Sequence, residues 1–166
     1  VNDSGTTKET SRSFPSCVAA SNDFVYVVDD LGGFQRLGLA DLAAGTLQSY
    51  ASRTADCVDA RASIDGVDVV FALADGGVHL ARGGENFLTD VANGGDGVGV
   101  AVDDDHVWWV TDGVDGKLFR APKTAGATPE LVRPAAQATS VVVDDDHVYW
   151  TSAGAVGQVS RIRKPL

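Results

Sequence analysis

The chain carries one distinctive tract twice. Residues 101–110 read AVDDDHVWWV and residues 142–151 read VVDDDHVYWT, with Val107 and Val148 of the two copies 41 residues apart. A tract this specific, repeated at such a distance, marks a repeated structural unit that buries its apolar face against its neighbours. Fainter copies extend the series. Ser21-Asn22-Asp23 precedes Phe24-Val25-Tyr26-Val27-Val28, and Asp65-Gly66 precedes Val67-Asp68-Val69-Val70-Phe71. Asp-Gly between apolar runs is a strong two-residue hairpin signal.

Composition says which kind of unit repeats. Of 23 acidic residues, 20 are aspartate, and there are 19 glycines. Aspartate caps local backbone N–H groups and glycine accepts left-handed turns, so this chain is full of turns. Valine is frequent and no long segment has helical periodicity, which reads as all-β. The 44% hydrophobic content suffices for one core, and no apolar run of about 18 residues is present to span a membrane. A net charge of -10 disfavours nucleic acid, whose phosphates it would repel.

Each copy is followed by a Gly-rich loop and then by Gly-x-apolar-x-Arg, as in 32–36, 116–120 and 157–161; the second repeat has one more residue before its arginine. Short outer strands are expected at 46–50, 85–89 and 128–132. Four antiparallel strands in about 40 residues is the pattern of a propeller blade. The aligned valines Val25, Val69, Val107 and Val148 are spaced by 44, 38 and 41 residues. Passing from Val148 through both termini back to Val25 adds 43, again one period. The expected fold is therefore an all-β propeller of four blades. They cover about 14–52, 56–91, 97–133 and 138–166, the last completed by residues 5–12. The competing arrangements are a piece of a larger ring and a half-ring completed by a second copy.

The pattern VDDDHVYWT, followed by Gly-x-apolar-x-Arg and Ala121-Pro122-Lys123, resembles the repeats of bacterial extracellular β-propellers of the YWTD, NHL and TolB-like groups. That resemblance implies the fold, with functions from protein binding and ligand binding to occasional lyases and hydrolases. Relatives with six or more blades are the common case.

Because propeller sheets stack face to face, apolar residues are expected at consecutive positions, and Trp108, Trp109, Tyr149 and Trp150 are expected to hold blades together. Several sets of polar residues are candidates for chemistry. Asp103, Asp105, Asp144 and Asp146, in the DDDH tracts, have the oxygen ligands that hard cations prefer. They fall in a turn between first and second strands, however, and turn capping explains them better. Asp29, Asp30, Asp75, Asp112 and Asp115 fall in loops on the opposite face, where converging carboxylates could hold Ca2+ or another cation at the central channel, or a cationic ligand. Arg36, Arg82, Arg120 and Arg161 recur at one register of the third strand and are read as pairing with the aspartates. Catalytic signals are poor: His106 and His147 occupy repeat positions, His79 stands alone, and no nucleophile motif occurs. The glycines of 94–99 lead into a strand rather than a helix, so they lack the helix N-terminus that holds phosphate.

Cys17 and Cys57 are expected at the inner strands of neighbouring blades, close enough for a disulfide closing a loop of about 40 residues. The absence of methionine, even at position 1, fits a processed or excised chain, and a removed signal peptide would make it extracellular or periplasmic. The expected function is a secreted, non-enzymatic binding module using its loop face, for a protein, glycan or small ligand. The alternatives are a self-associating structural protein, possible as a homo-oligomer, and a lyase or hydrolase with a channel cation.

Overall fold

A computed structural model describes residues 15–21, 24–29, 34–38, 48–49, 55–63, 66–73, 76–82, 89–93, 95 and 97–165. Among them every regular element is a strand, and all pairing is antiparallel. The first sheet contains β1 (Pro15–Ala20), β2 (Phe24–Asp29), β3 (Phe34–Gly38) and β4 (Gln48–Ser49). The second holds β5 (Ala55–Ser63), β6 (Gly66–Leu73), β7 (Gly77–Arg82) and β8 (Thr89–Asn93). The third holds β9 (Gly97–Val102), β10 (His106–Thr111), β11 (Lys117–Pro122) and β12 (Glu130–Pro134). The fourth holds β13 (Ala138–Val143), β14 (His147–Ser152) and β15 (Gln158–Arg163). In each sheet the strands lie in sequence order, as up-and-down meanders. Residues 5–12, expected to complete the fourth sheet, lie outside the described residues.

The registers make the repeat explicit. Val27, Trp109 and Trp150 pair with Val18, Val100 and Val141 respectively. Each first strand carries an irregularity near its start, between Pro15 and Cys17, Ala55 and Cys57, and Ala138 and Ser140, while the third sheet has its own between Val110 and Thr111. Cys17, Cys57, Gly99 and Ser140 therefore occupy one position in the four sheets. Around this position the first strands pack in succession, β1 on β5, β5 on β9 and β9 on β13. The β9–β13 approach is very close, since a Cβ on Gly99 would come within 2.8 Å of the Ser140 Cα. Among the described residues, β13 and β1 do not pack in this way.

Two apolar layers join the last three sheets. Val70, Val78 and Leu80 of the second sheet meet Val100, Val102, Val107 and Trp109 of the third. On its other face the third sheet presents Ala101, Trp108, Val110 and Leu118 to Val141, Val148 and Trp150 of the fourth. Trp108 and Trp109 are consecutive, point to opposite sides of one strand and are both fully buried. This is the double-faced burial expected of stacked sheets.

Two sequence expectations need correction. The outer strand of the third sheet lies nearer the C-terminus than expected, β12 covering 130–134 rather than 128–132; β4 falls within the expected 46–50, and β8 covers 89–93, while 85–88 of the expected 85–89 lie outside the described residues. Register with the third strand sets them, as Asp90 pairs with His79 and Glu130 with Arg120, and burial of Val91 and Ala92 fixes β8. Nor does Arg82 share the register of the other arginines. Arg36, Arg120 and Arg161 stand opposite Tyr26, Trp108 and Tyr149, whereas Leu80 stands opposite Val70 and Arg82 opposite Asp68. Leu80 holds the register position instead, and it is completely buried, as is Val78, so apolar packing rather than the arginine fixes this strand.

Candidate functional site

The DDDH tracts form the turns between first and second strands. The Asp103 backbone N–H donates to the His106 carbonyl, and its Oδ1 accepts from the backbone N–H groups of Asp105 and His106 at 3.0 and 2.7 Å. Asp144 repeats this with Asp146 and His147, at 2.9 and 2.7 Å. Ser21 does the same work in the first sheet, where its hydroxyl accepts from the Phe24 N–H. The second carboxylate oxygen reaches the aromatic residue five positions on. The Trp108 indole N–H donates to Asp103 at 2.8 Å, and the Tyr149 hydroxyl donates to Asp144 at 2.8 Å. One aspartate thus closes the turn and fixes the ring of the following strand.

The third turn is further built into the junction with the fourth sheet. Lys164 Nζ lies 2.7 Å from Asp103 Oδ2, and the Lys164 backbone N–H donates to the Asp146 carbonyl. Arg120 donates to Glu130 at 2.7 Å and to the Pro165 carbonyl at 2.9 Å, and its guanidinium lies 5.8 Å from the centre of the Trp108 ring. These residues enclose a cleft of about 480 Å³ lined by Asp103, Asp104, Asp105, His106, Trp108, Arg120, Asp145, Lys164 and Pro165. Its lining has four carboxylates and two permanent cations. The sequence reading had no place for Lys164 or Pro165. The available signal was that Lys123 and Lys164 end the third strands of successive repeats, their N–H groups bonding the Asp105 and Asp146 carbonyls alike.

Electrostatics favours the ionised form at Asp103, Glu130 and Asp144. Burial pushes the Asp103 carboxyl up, but Lys164, the His106 and Asp105 N–H groups and the Trp108 indole together bring it below its ordinary value. Glu130 is lowered chiefly by its Arg120 hydrogen bond, and Asp144 chiefly by the His147 N–H, then by the Tyr149 hydroxyl and the Asp146 N–H. Tyr149 is raised by donating to the Asp144 carboxylate.

The other sites fare differently. Asp103 and Asp105 lie in one turn and Asp144 and Asp146 in the next, and among the described residues no three His, Cys, Asp or Glu side chains gather closely enough to hold a metal ion. Asp112 and Asp115 are exposed in the loop after β10, where Asp112 accepts from the Gly113 N–H at 2.5 Å. Asp30, Asp75 and the side chain of Asp29 lie outside the described residues, so the cation ring at the channel stays an expectation. His79 is buried, with Nδ1 2.6 Å from the exposed Asp90 carboxylate on the neighbouring strand. Cys17 is half-buried on β1, and the expected pairing with Cys57 falls on a side chain outside those described.

No protein-family model matches the chain, and no curated protein matches it by sequence. Its structure is similar to that of the computationally designed Ika4 protein, with a TM-score of 0.70 and 16% identity over 95% of each chain. It is also similar to the designed Ika8 protein, with a TM-score of 0.64 and 14% identity over 91% of this chain and 46% of that one. BamB from Moraxella catarrhalis gives a TM-score of 0.58 at 15% identity over 93% of this chain and 48% of BamB. This chain thus spans just under half the length of the last two. The similarity extends across designed and natural β-propellers, and the fold is all-β and propeller-like.

Proposed function

We propose that the chain is a non-enzymatic binding module of the periplasm or cell exterior. Its turn face, at the junction of the third and fourth sheets, takes a positively charged segment of a partner protein. The observation that carries this reading is the cleft itself, with four carboxylates to two cations and Trp108 among its walls. The chain's net charge of -10 adds a long-range attraction for such a partner. Among the described residues, the carboxyls of Asp103, Glu130 and Asp144 are held below and the Tyr149 hydroxyl above their ordinary values, away from neutrality. Acid–base catalysis needs groups tuned towards it.

Tetralysine tests the proposal, with binding followed by tryptophan fluorescence and calorimetry. Affinity should fall at least tenfold between 50 and 500 mM salt (about 13 and 4 Å of screening length). It should fall by a similar factor when Asp104, Asp105 and Asp145 are all changed to Asn. Failure to bind at millimolar tetralysine, or equal binding by the triple variant, would overturn it.

A further inference from the structure

The third and fourth sheets carry the same residues at the same registers but are covered differently. Ala101, Trp108 and Leu118 are 1%, 1% and 0% exposed because the fourth sheet packs on them. Their counterparts by register are Val142, Tyr149 and Val159. Val142 and Val159 are 59% and 76% exposed, and Tyr149 is half-buried. The fourth sheet therefore presents, uncovered, the face that the third uses to bind its successor.

The other end of the stack has the complementary deficiency. Val100 and Val141, which receive the preceding sheet, are 4% and 3% exposed. Their counterpart in the first sheet, Val18, is 65% exposed. The opposite face of that sheet carries the buried Tyr26. One end thus has an open donor face and the other an open acceptor face. Isolated exposed valines are ordinary, but here Val142 and Val159 lie where the third sheet buries Ala101 and Leu118, and Val18 lies where the third and fourth sheets bury Val100 and Val141.

We propose that a second copy of this chain covers the open face of the fourth sheet with its own first sheet, while its fourth sheet covers the first sheet of the other copy, so that two chains close one ring. A second copy is the occupant because this chain carries both halves of the contact, and the junctions of the third sheet with the second and the fourth show how they fit. The interface is head-to-tail, and such contacts close when the rotation per copy divides the circle. This chain spans just under half of both Ika8 and BamB, so two copies together match the extent of either.

Sedimentation equilibrium on the full chain at 150 mM salt should give twice 17.2 kDa, dissociating on dilution. Val18→Lys and Val159→Lys change residues that are exposed in the single chain, so both should fold normally by circular dichroism. Each should weaken dimerisation at least tenfold, while Val114→Lys, on an exposed loop away from both faces, should leave it unchanged. Mixing the two weakened variants should restore a heterodimer, because one of its two junctions is then native on both sides. That recovery is specific to head-to-tail contact. A dimer lost with Val159→Lys yet untouched by Val18→Lys would overturn the proposal in favour of a symmetric contact between fourth sheets. A monomer at every concentration would overturn it. Open-ended growth with concentration would also overturn it, since the rotation would then fail to close.

Discussion

The third and fourth sheets are nearly the same sequence in two environments. Both have an aspartate that caps the turn with one oxygen and holds the next strand's aromatic ring with the other. In the third sheet that aspartate is buried and paired with Lys164, and its ring is sealed under the fourth sheet. In the fourth the same aspartate is exposed and the ring stands at an open face. Local hydrogen bonding therefore depends on the tract alone, while burial and energetic weight depend on the neighbouring sheet.

The sharpest way to break this comparison is to remove the two rings. Trp108→Ala should destabilise the chain by about 3–5 kcal/mol, the usual cost of emptying a large buried aromatic site. Tyr149→Ala should cost below about 1 kcal/mol in dilute protein. Urea melts read both, and equal losses would contradict the comparison. If two chains close a ring, the cost of Tyr149→Ala should rise with protein concentration.

The two aspartates come next. Asp103→Asn keeps the turn-capping oxygen but strands Lys164 opposite a neutral amide, at a cost of about 2–4 kcal/mol. Asp144→Asn should cost much less, because its carboxylate is open to water. The folded-state value of Asp103 lies below its ordinary 3.8, so its contribution is fully present above that pH and is lost as pH falls through the lower folded value. Stability of the native protein should therefore drop more steeply below about pH 4 than that of Asp103→Asn. Parallel acid-unfolding curves for the two would contradict the Lys164 pairing.

How much of this was legible beforehand follows the same division. The turn, the second strand and the repeat spacing were readable, because Asp, Val and the aromatics act through local geometry. The double burial of Trp108 and Trp109 followed from stacking once the repeat was seen. The bounds of the third sheet's outer strand were not readable. Edge strands carry few apolar residues, and the third strand sets their register, as His79 with Asp90 and Arg120 with Glu130. The cleft was not readable either, since Lys164 reaches Asp103 only because two repeats 41 residues apart are stacked.

A smaller effect is expected at the tight crossing of first strands. Gly99→Ala sets a Cβ 2.8 Å from the Ser140 Cα and should cost about 1–3 kcal/mol, as overpacking does. Ser140→Ala, the same register on an exposed position of the fourth sheet, should be within about 0.5 kcal/mol of neutral. Cys17 and Cys57 share that register on neighbouring first strands. Incubation with oxidised glutathione should remove both thiols, their two electrons and two protons reducing the glutathione disulfide to two thiols. A denaturing thiol titration that still counts two, with no mixed disulfide by mass, would contradict this.

Amide hydrogen exchange compares the two sheets without any substitution. Both β10 and β14 are central strands bonded on each side, so they differ in what covers their faces. At a concentration low enough to keep the chain monomeric, the amides of 148–151 should exchange at least tenfold faster than those of 107–110. Equal protection of the two strands would contradict the claim that the neighbouring sheet, rather than the repeated tract, sets how firmly each is held.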